Sequence, residues 1–112
     1  MSDELRLERL PSDGPEQAIC FLCDDFFLPG GILATLYDGR LPLGHICAVC
    51  AAGPRQAAAR VRQRAKRILS LLKDGVDDSS AELSLRRRQL IRLRADFWKA
   101  LARRIEKSDA WQ

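Results

Sequence analysis

An α+β fold is predicted by three features of the sequence: two Cys-x-x-Cys pairs with 23 residues between them, a β-hairpin pattern inside that linker, and two long helical patterns after it. Residues 18–53 then make a small metal-bound hairpin module, and residues 54–112 an antiparallel two-helix hairpin packed on it. Residues 1–17 are expected to be a flexible N-terminal arm. At 112 residues the chain is one domain by length, large enough for a core of moderate size.

The pairs are Cys20-Phe21-Leu22-Cys23 and Cys47-Ala48-Val49-Cys50. Two residues between cysteines let a tight turn aim both sulfurs at one ion, and two such turns supply four thiolates for a tetrahedral site. Zinc held by Cys20, Cys23, Cys47 and Cys50 is the cofactor this pattern favours, ahead of an iron or iron–sulfur site and ahead of disulfides or redox thiols. His45 reads as a hairpin-edge residue, because four thiolates already complete a shell. Such a shell leaves no position for water or substrate, so the chain is expected not to be an enzyme. Asp24-Asp25 and Asp77-Asp78 read as turn formers and helix-start charges rather than a catalytic carboxylate pair.

Along the chain, Pro11, Gly14 and Pro15 among scattered charges support the arm reading, and Leu5, Leu7 and Leu10 give only a short pattern. Pro29-Gly30-Gly31 forces a turn after the first cysteine pair. Ile32 to Tyr37 then reads as a strand, Asp38-Gly39 as a hairpin turn and Arg40 to Ile46 as the returning strand, which Pro42 confines to an edge. Cysteine knuckle, Asp-Gly hairpin and Gly44-His45-Ile46-Cys47-Ala48-Val49-Cys50 leading into a helix together resemble a treble-clef zinc finger, with the zinc ribbon as a near relative. The resemblance covers about residues 18–72 and implies a zinc-stabilised fold without fixing a task. Two features depart from it. Asp24 and Ala51 stand where a glycine often follows the second cysteine of a knuckle, and Gly53-Pro54 delays the helix. HNH nucleases that share this fold need a catalytic histidine and further ligands, which a lone His45 does not supply.

Pro54 is placed as the first residue of a helix over 54–74, with Gly75 as its cap. Ala57, Ala58, Val61, Ala65, Ile68, Leu69 and Leu72 share one face of it. Ser79-Ser80-Ala81-Glu82 is a capping box that opens a second helix of about 27 residues, roughly 40 Å long. Leu83, Leu90, Ile91, Leu93, Phe97, Trp98, Leu101 and Ile105 form its apolar stripe, which is broader than one alanine-rich helix can cover. The surplus should meet the metal module, a second copy in a homodimer, or another protein.

Charge is uneven along the chain. Residues 1–38 hold eight acids against two arginines, and residues 39–73 hold eight Arg or Lys and no acid. Arg55, Arg60, Arg62, Arg64, Lys66 and Arg67 are therefore candidates to grip the phosphates of DNA or RNA, with a solvated face or pairing to the acidic front as the alternative. Arg60, Arg64 and Arg67 form one ridge of that helix. Arg87 and Arg94 fall within the apolar stripe of the second helix and, with Trp98 and Trp111, are the candidate protein contacts; Trp98 also fits a core position. The leading expectation is a small zinc-stabilised nucleic-acid-binding or regulatory protein, and the runner-up is an adaptor or assembly factor using the stripe of the second helix. A thiol- or metal-handling role is a third. With no secretory signal and no run of 18 apolar residues, a cytoplasmic chain without a membrane segment is expected.

Overall fold

The computed structural model describes residues 4–13, 17–72 and 81–111, the last with side chains from residue 85 onward. Within them the chain forms β1 (Leu5–Pro11), β2 (Ala18–Ile19), β3 (Phe26–Phe27), β4 (Ile32–Asp38), β5 (Leu41–Ile46), α1 (Ala48–Ala52), α2 (Pro54–Ser70) and α3 (Ala81–Glu106). The fold is α+β. The expected Gly75 cap, the turn at 75–80 and the capping box at 79–82 lie outside the described residues and side chains.

The expected β-hairpin is β4 and β5, turning at Asp38-Gly39, where Gly39 takes a left-handed φ of 61°. Residues 5–11, expected to be part of an arm, instead form β1, which pairs antiparallel with β4 from Leu5↔Asp38 to Pro11↔Ile32. The sheet order is β1-β4-β5, so β4 is central. A two-stranded hairpin is marginal alone, and a third strand satisfies the free edge of β4 and buries Leu5. The alternation of Leu5 and Leu7 with Arg6 and Glu8 is the signal for it, and the two prolines interrupt nothing because β1 and β5 are both edges. Arg6 lies over the Tyr37 ring, 4.4 Å from its centroid, and pairs with Glu8.

The helix expected from residue 54 begins there, but a short separate helix, α1, precedes it. Gly53 between them is extended (φ −178°, ψ 161°), as the residue before a proline tends to be. Pro54 then opens α2, where its missing N–H leaves nothing unpaired. α3 runs antiparallel to α2, since Arg62 pairs with Glu106 at one end while Arg94 lies by Ile68 and Leu71 at the other. Ala57, Ala58, Val61, Ala65 and Ile68 of α2 are buried as expected.

The α3 seam differs from the expected stripe. Ile91, Ala95, Trp98, Ala102 and Ile105, at heptad-like spacing, are buried with Leu101, whereas Leu90, Leu93 and Phe97 are exposed. Counting only large apolar residues draws the centre of the face toward the leucines. The alanines at 95 and 102 are what allow α3 to approach the alanine-rich α2, and they fix which side turns inward. Leu90 and Phe97 are therefore not main core contacts. Arg87 and Arg94 are exposed as well. The core is one cluster that joins the sheet (Leu5, Leu36, Ile46), the four cysteines and both long helices.

Truncating Ile105, which is fully buried, to Ala should cost about 2–5 kcal/mol, whereas Phe97→Ala should cost less than about 1 kcal/mol. Urea unfolding midpoints of the two variants measure the difference, and equal losses would contradict this orientation of α3.

Candidate metal centre and its arginine ridge

The first cysteine pair lies in the turn joining β2 to β3, whose two residues pair Ala18↔Phe27 and Ile19↔Phe26. The Cys20 N–H donates to the Asp25 carbonyl and the Asp24 N–H to the Cys20 carbonyl, both at 2.9 Å. Asp24 itself takes the left-handed conformation, φ 67°, at the place where a glycine often follows a knuckle. Aspartate tolerates that region better than most residues, which is why the missing glycine leaves the turn intact.

The second pair leaves β5 and enters α1. Cys47 is the residue before the helix and Cys50 its third, so Ala51 is helical and needs no special φ. Gly44 permits the close approach of β5 to the first cysteine turn: a Cβ there would lie 2.9 Å from the Phe21 Cβ, and its φ of 157° favours glycine. Next to it the Phe21 N–H donates to the His45 carbonyl at 2.8 Å. His45 turns away from the sulfurs, exposed, with Nδ1 2.9 Å from Thr35 Oγ1.

All four cysteines are buried, and their sulfurs lie within 4.8 Å of one another. Tetrahedral coordination with metal–sulfur bonds of about 2.3 Å requires S···S edges of about 3.8 Å. The Cys23–Cys47 separation is 3.8 Å, so the set fits one ion. Backbone N–H groups of Cys23 and Cys47 point at Cys20 Sγ, at 3.5 and 3.3 Å, and favour its anion. Hydrogen-bonding from Cys50 holds Cys20 down to about 4, and the same bond together with burial pushes Cys50 up. Burial drives Cys23 up to about 11. Four sulfurs this close thus carry fewer than four negative charges on their own, and a bound cation is what lets all four ionise. Cys20, Cys23, Cys47 and Cys50 are positioned to bind one metal ion.

The arginine ridge of α2 is aimed at this centre. Arg60 Nη1 lies 3.5 Å from Cys23 Sγ and 4.0 Å from Cys47 Sγ, with Asp25 at 3.7 Å. Arg64 Nη1 donates to the Phe21 carbonyl at 2.6 Å, and its guanidinium stacks 3.9 Å from the Trp98 ring centroid. Arg67 Nη2 donates to the Cys23 carbonyl at 2.9 Å. Three of the six candidate phosphate contacts are therefore engaged with the first cysteine turn. Arg62 pairs with Glu106, and Arg55 and Lys66 face solvent.

Of the candidate protein contacts, Trp98 and Trp111 are both buried: Trp98 takes the core position it also fitted, whereas Trp111 is not an exposed anchor. The Trp98 ring centroid is 5.3 Å from that of Phe21, and Trp111 Nε1 donates to the Cys50 carbonyl at 2.8 Å. The indole thereby satisfies a carbonyl of the short α1, which has too few residues to pair all its own. A polar tail around Trp111 hides this role in the sequence. The arginine clamp had a visible signal, since Asp24-Asp25 follows the first pair directly and the facing helix lacks any acid.

Replacing Arg60, Arg64 and Arg67 together by Gln should lower stability by about 2 kcal/mol or more, through the charged hydrogen bonds to the Phe21 and Cys23 carbonyls. The pairs to Asp24 and Asp25 add little, because both carboxylates are largely exposed. Thermal unfolding at fixed metal concentration tests this; an unchanged melting temperature would leave the ridge without a structural role.

No family model matches the chain, nor does any curated protein or solved structure, so what the centre does is read from its own geometry.

Proposed function

We propose that the ion is zinc, held in a treble-clef-like arrangement, and that the chain is a cytoplasmic protein-interaction adaptor or assembly factor presenting the outer face of α3. The treble-clef reading is supported by the order of parts: a cysteine turn, the β4–β5 hairpin, then Cys47 and Cys50 at the start of a helix. Four sulfur ligands at tetrahedral spacing suit zinc, and they leave no open position, so no catalytic step is assigned.

The adaptor reading rests on one observation. Leu90, Leu93 and Phe97 are 61%, 64% and 54% exposed on one side of α3, while the seam beside them is packed. Large apolar residues at i, i+3 and i+7 on an otherwise charged helix form a ridge that a partner helix or groove can cover. A nucleic-acid role keeps support from one feature: residues 85–104 carry eight Arg or Lys against Asp96 alone. The ridge on which that role first depended is held by the cysteine turn, which places it second.

One zinc per chain is expected by elemental analysis, and Cys47→Ser should lose both the metal and cooperative unfolding, because binding energy at such a site is folding energy. Iron with visible charge-transfer absorption, or an intact fold without metal, would overturn the assignment.

Salt separates the two readings. A partner held on the apolar ridge should stay bound from low to moderate salt and be lost on Leu93→Ser, with the melting temperature unchanged. Bound nucleic acid that dissociates steeply over the same range and ignores Leu93→Ser would favour the second reading.

A further inference from the structure

Beside the apolar ridge, where the first cysteine turn, α2 and α3 meet, Asp24, Arg64, Arg67, Ile68, Leu71 and Arg94 line a depression of about 150 Å³. Three guanidiniums and one carboxylate face it. Arg64 and Arg67 are held by the Phe21 and Cys23 carbonyls, but among the described residues no acceptor lies within hydrogen-bond or ion-pair distance of Arg94. Among the described residues the depression therefore has a surplus of positive charge and a donor group without an acceptor. Arg94 stands four residues after Leu90 and three before Phe97, so on the helix surface it borders both.

We propose that this composite surface docks an acidic amphipathic helix from a protein partner, with its apolar residues on Leu90, Leu93 and Phe97 and a carboxylate in the Arg64–Arg67–Arg94 depression. The proposal rests on the adaptor reading above and adds the partner's chemistry. Charge complementarity selects this occupant. A second copy of the chain would bring another α3 carrying eight Arg or Lys against Asp96 over residues 85–104, and like charges across an interface oppose its formation. A phosphate backbone would satisfy the guanidiniums but leave Leu90 and Leu93 against polar groups. An acidic helix satisfies both parts.

The anchor is also ordered in advance. Phe97 stands edge-on to Trp98, centroids 5.0 Å apart; Trp98 packs on Phe21 of the cysteine turn, and the Arg64 guanidinium lies over the Trp98 ring, 3.9 Å from its centroid. Less freedom is lost when a partner closes over a ring already held this way.

A display library of helix-forming peptides of about 16 residues, randomised on their surface, can be selected against the zinc-loaded full chain. The expected winners carry apolar residues at i, i+3 or i+4 and i+7 and a net negative charge. Their affinity should fall about 5- to 10-fold in Arg94→Gln. Selection against Arg94→Glu should no longer favour acids. Arg94 is exposed, so both variants should keep the wild-type melting temperature and zinc content. Neutral or basic winners, or affinities indifferent to Arg94→Gln, would overturn the acidic partner, yet the adaptor reading stands if Leu93→Ser still abolishes binding. Winners indifferent to Leu93→Ser, or no winners at all, would overturn both. An oligonucleotide of about 16 nucleotides that binds more tightly than the peptides, and needs Arg94, would assign the depression to phosphate instead.

Discussion

Four sulfurs gathered within 4.8 Å in a buried site are the constraint on which the other parts depend. Thiolates at such distances repel, and the shared protons that relieve the repulsion hold them far less firmly than one divalent ion would. With the ion bound, the turn between β2 and β3 and the start of α1 become one unit despite the 23 residues between them. β2 and β3 are two residues each and α1 is five, so none has enough internal hydrogen bonding to persist by itself. Their stability comes from the centre they flank.

Four thiolates would outweigh the charge of a divalent ion such as the zinc proposed, and α2 answers that surplus. Arg60 reaches two of the sulfurs, and Arg64 and Arg67 take carbonyls of the turn that holds them. The acid-poor middle of the chain is thus matched to the acidic front through the metal turn, and the two halves of opposite charge are neighbours in space. These bonds also tie α2, and with it the helical hairpin, to the cysteine turn. A second tie comes from residue 111, where the Trp111 indole N–H donates to the carbonyl of the buried Cys50 in α1.

Much of this was legible in the residues. Cysteine spacing marked the centre, Asp38-Gly39 the hairpin, and Pro54 the start of α2, because each reports a local geometric demand. β1 was not legible, since the short alternation at Leu5 and Leu7 acquires meaning only when β4 offers an edge. The inward side of α3 was misjudged for a different reason: Ala95 and Ala102 contribute little hydrophobicity but decide how closely the helices approach. The arginine ridge was visible as a ridge, yet a helical wheel cannot say whether cations at 60, 64 and 67 meet a phosphate or a ring of carbonyl oxygens and sulfurs. That distinction belongs to tertiary packing, as does the burial of Trp111 in a segment whose composition is polar.

The arrangement has a consequence for any partner of α3. Phe97 is ordered by Trp98, Trp98 by Phe21 and Arg64, and Phe21 is fixed within the cysteine turn by the close approach of Gly44. A continuous set of contacts therefore runs from the metal centre to an exposed aromatic ring. Loss of the ion would release the turn, remove the carbonyls that hold Arg64 and Arg67, and let the Trp98 ring move. The free energy of metal binding and that of partner binding would then be linked, each favouring the state in which these contacts are made, and the linkage acts equally in both directions. The size of the effect is bounded by how much order Phe97 and Arg94 lose when the turn is freed, since a surface equally ordered in both states would bind its partner equally well.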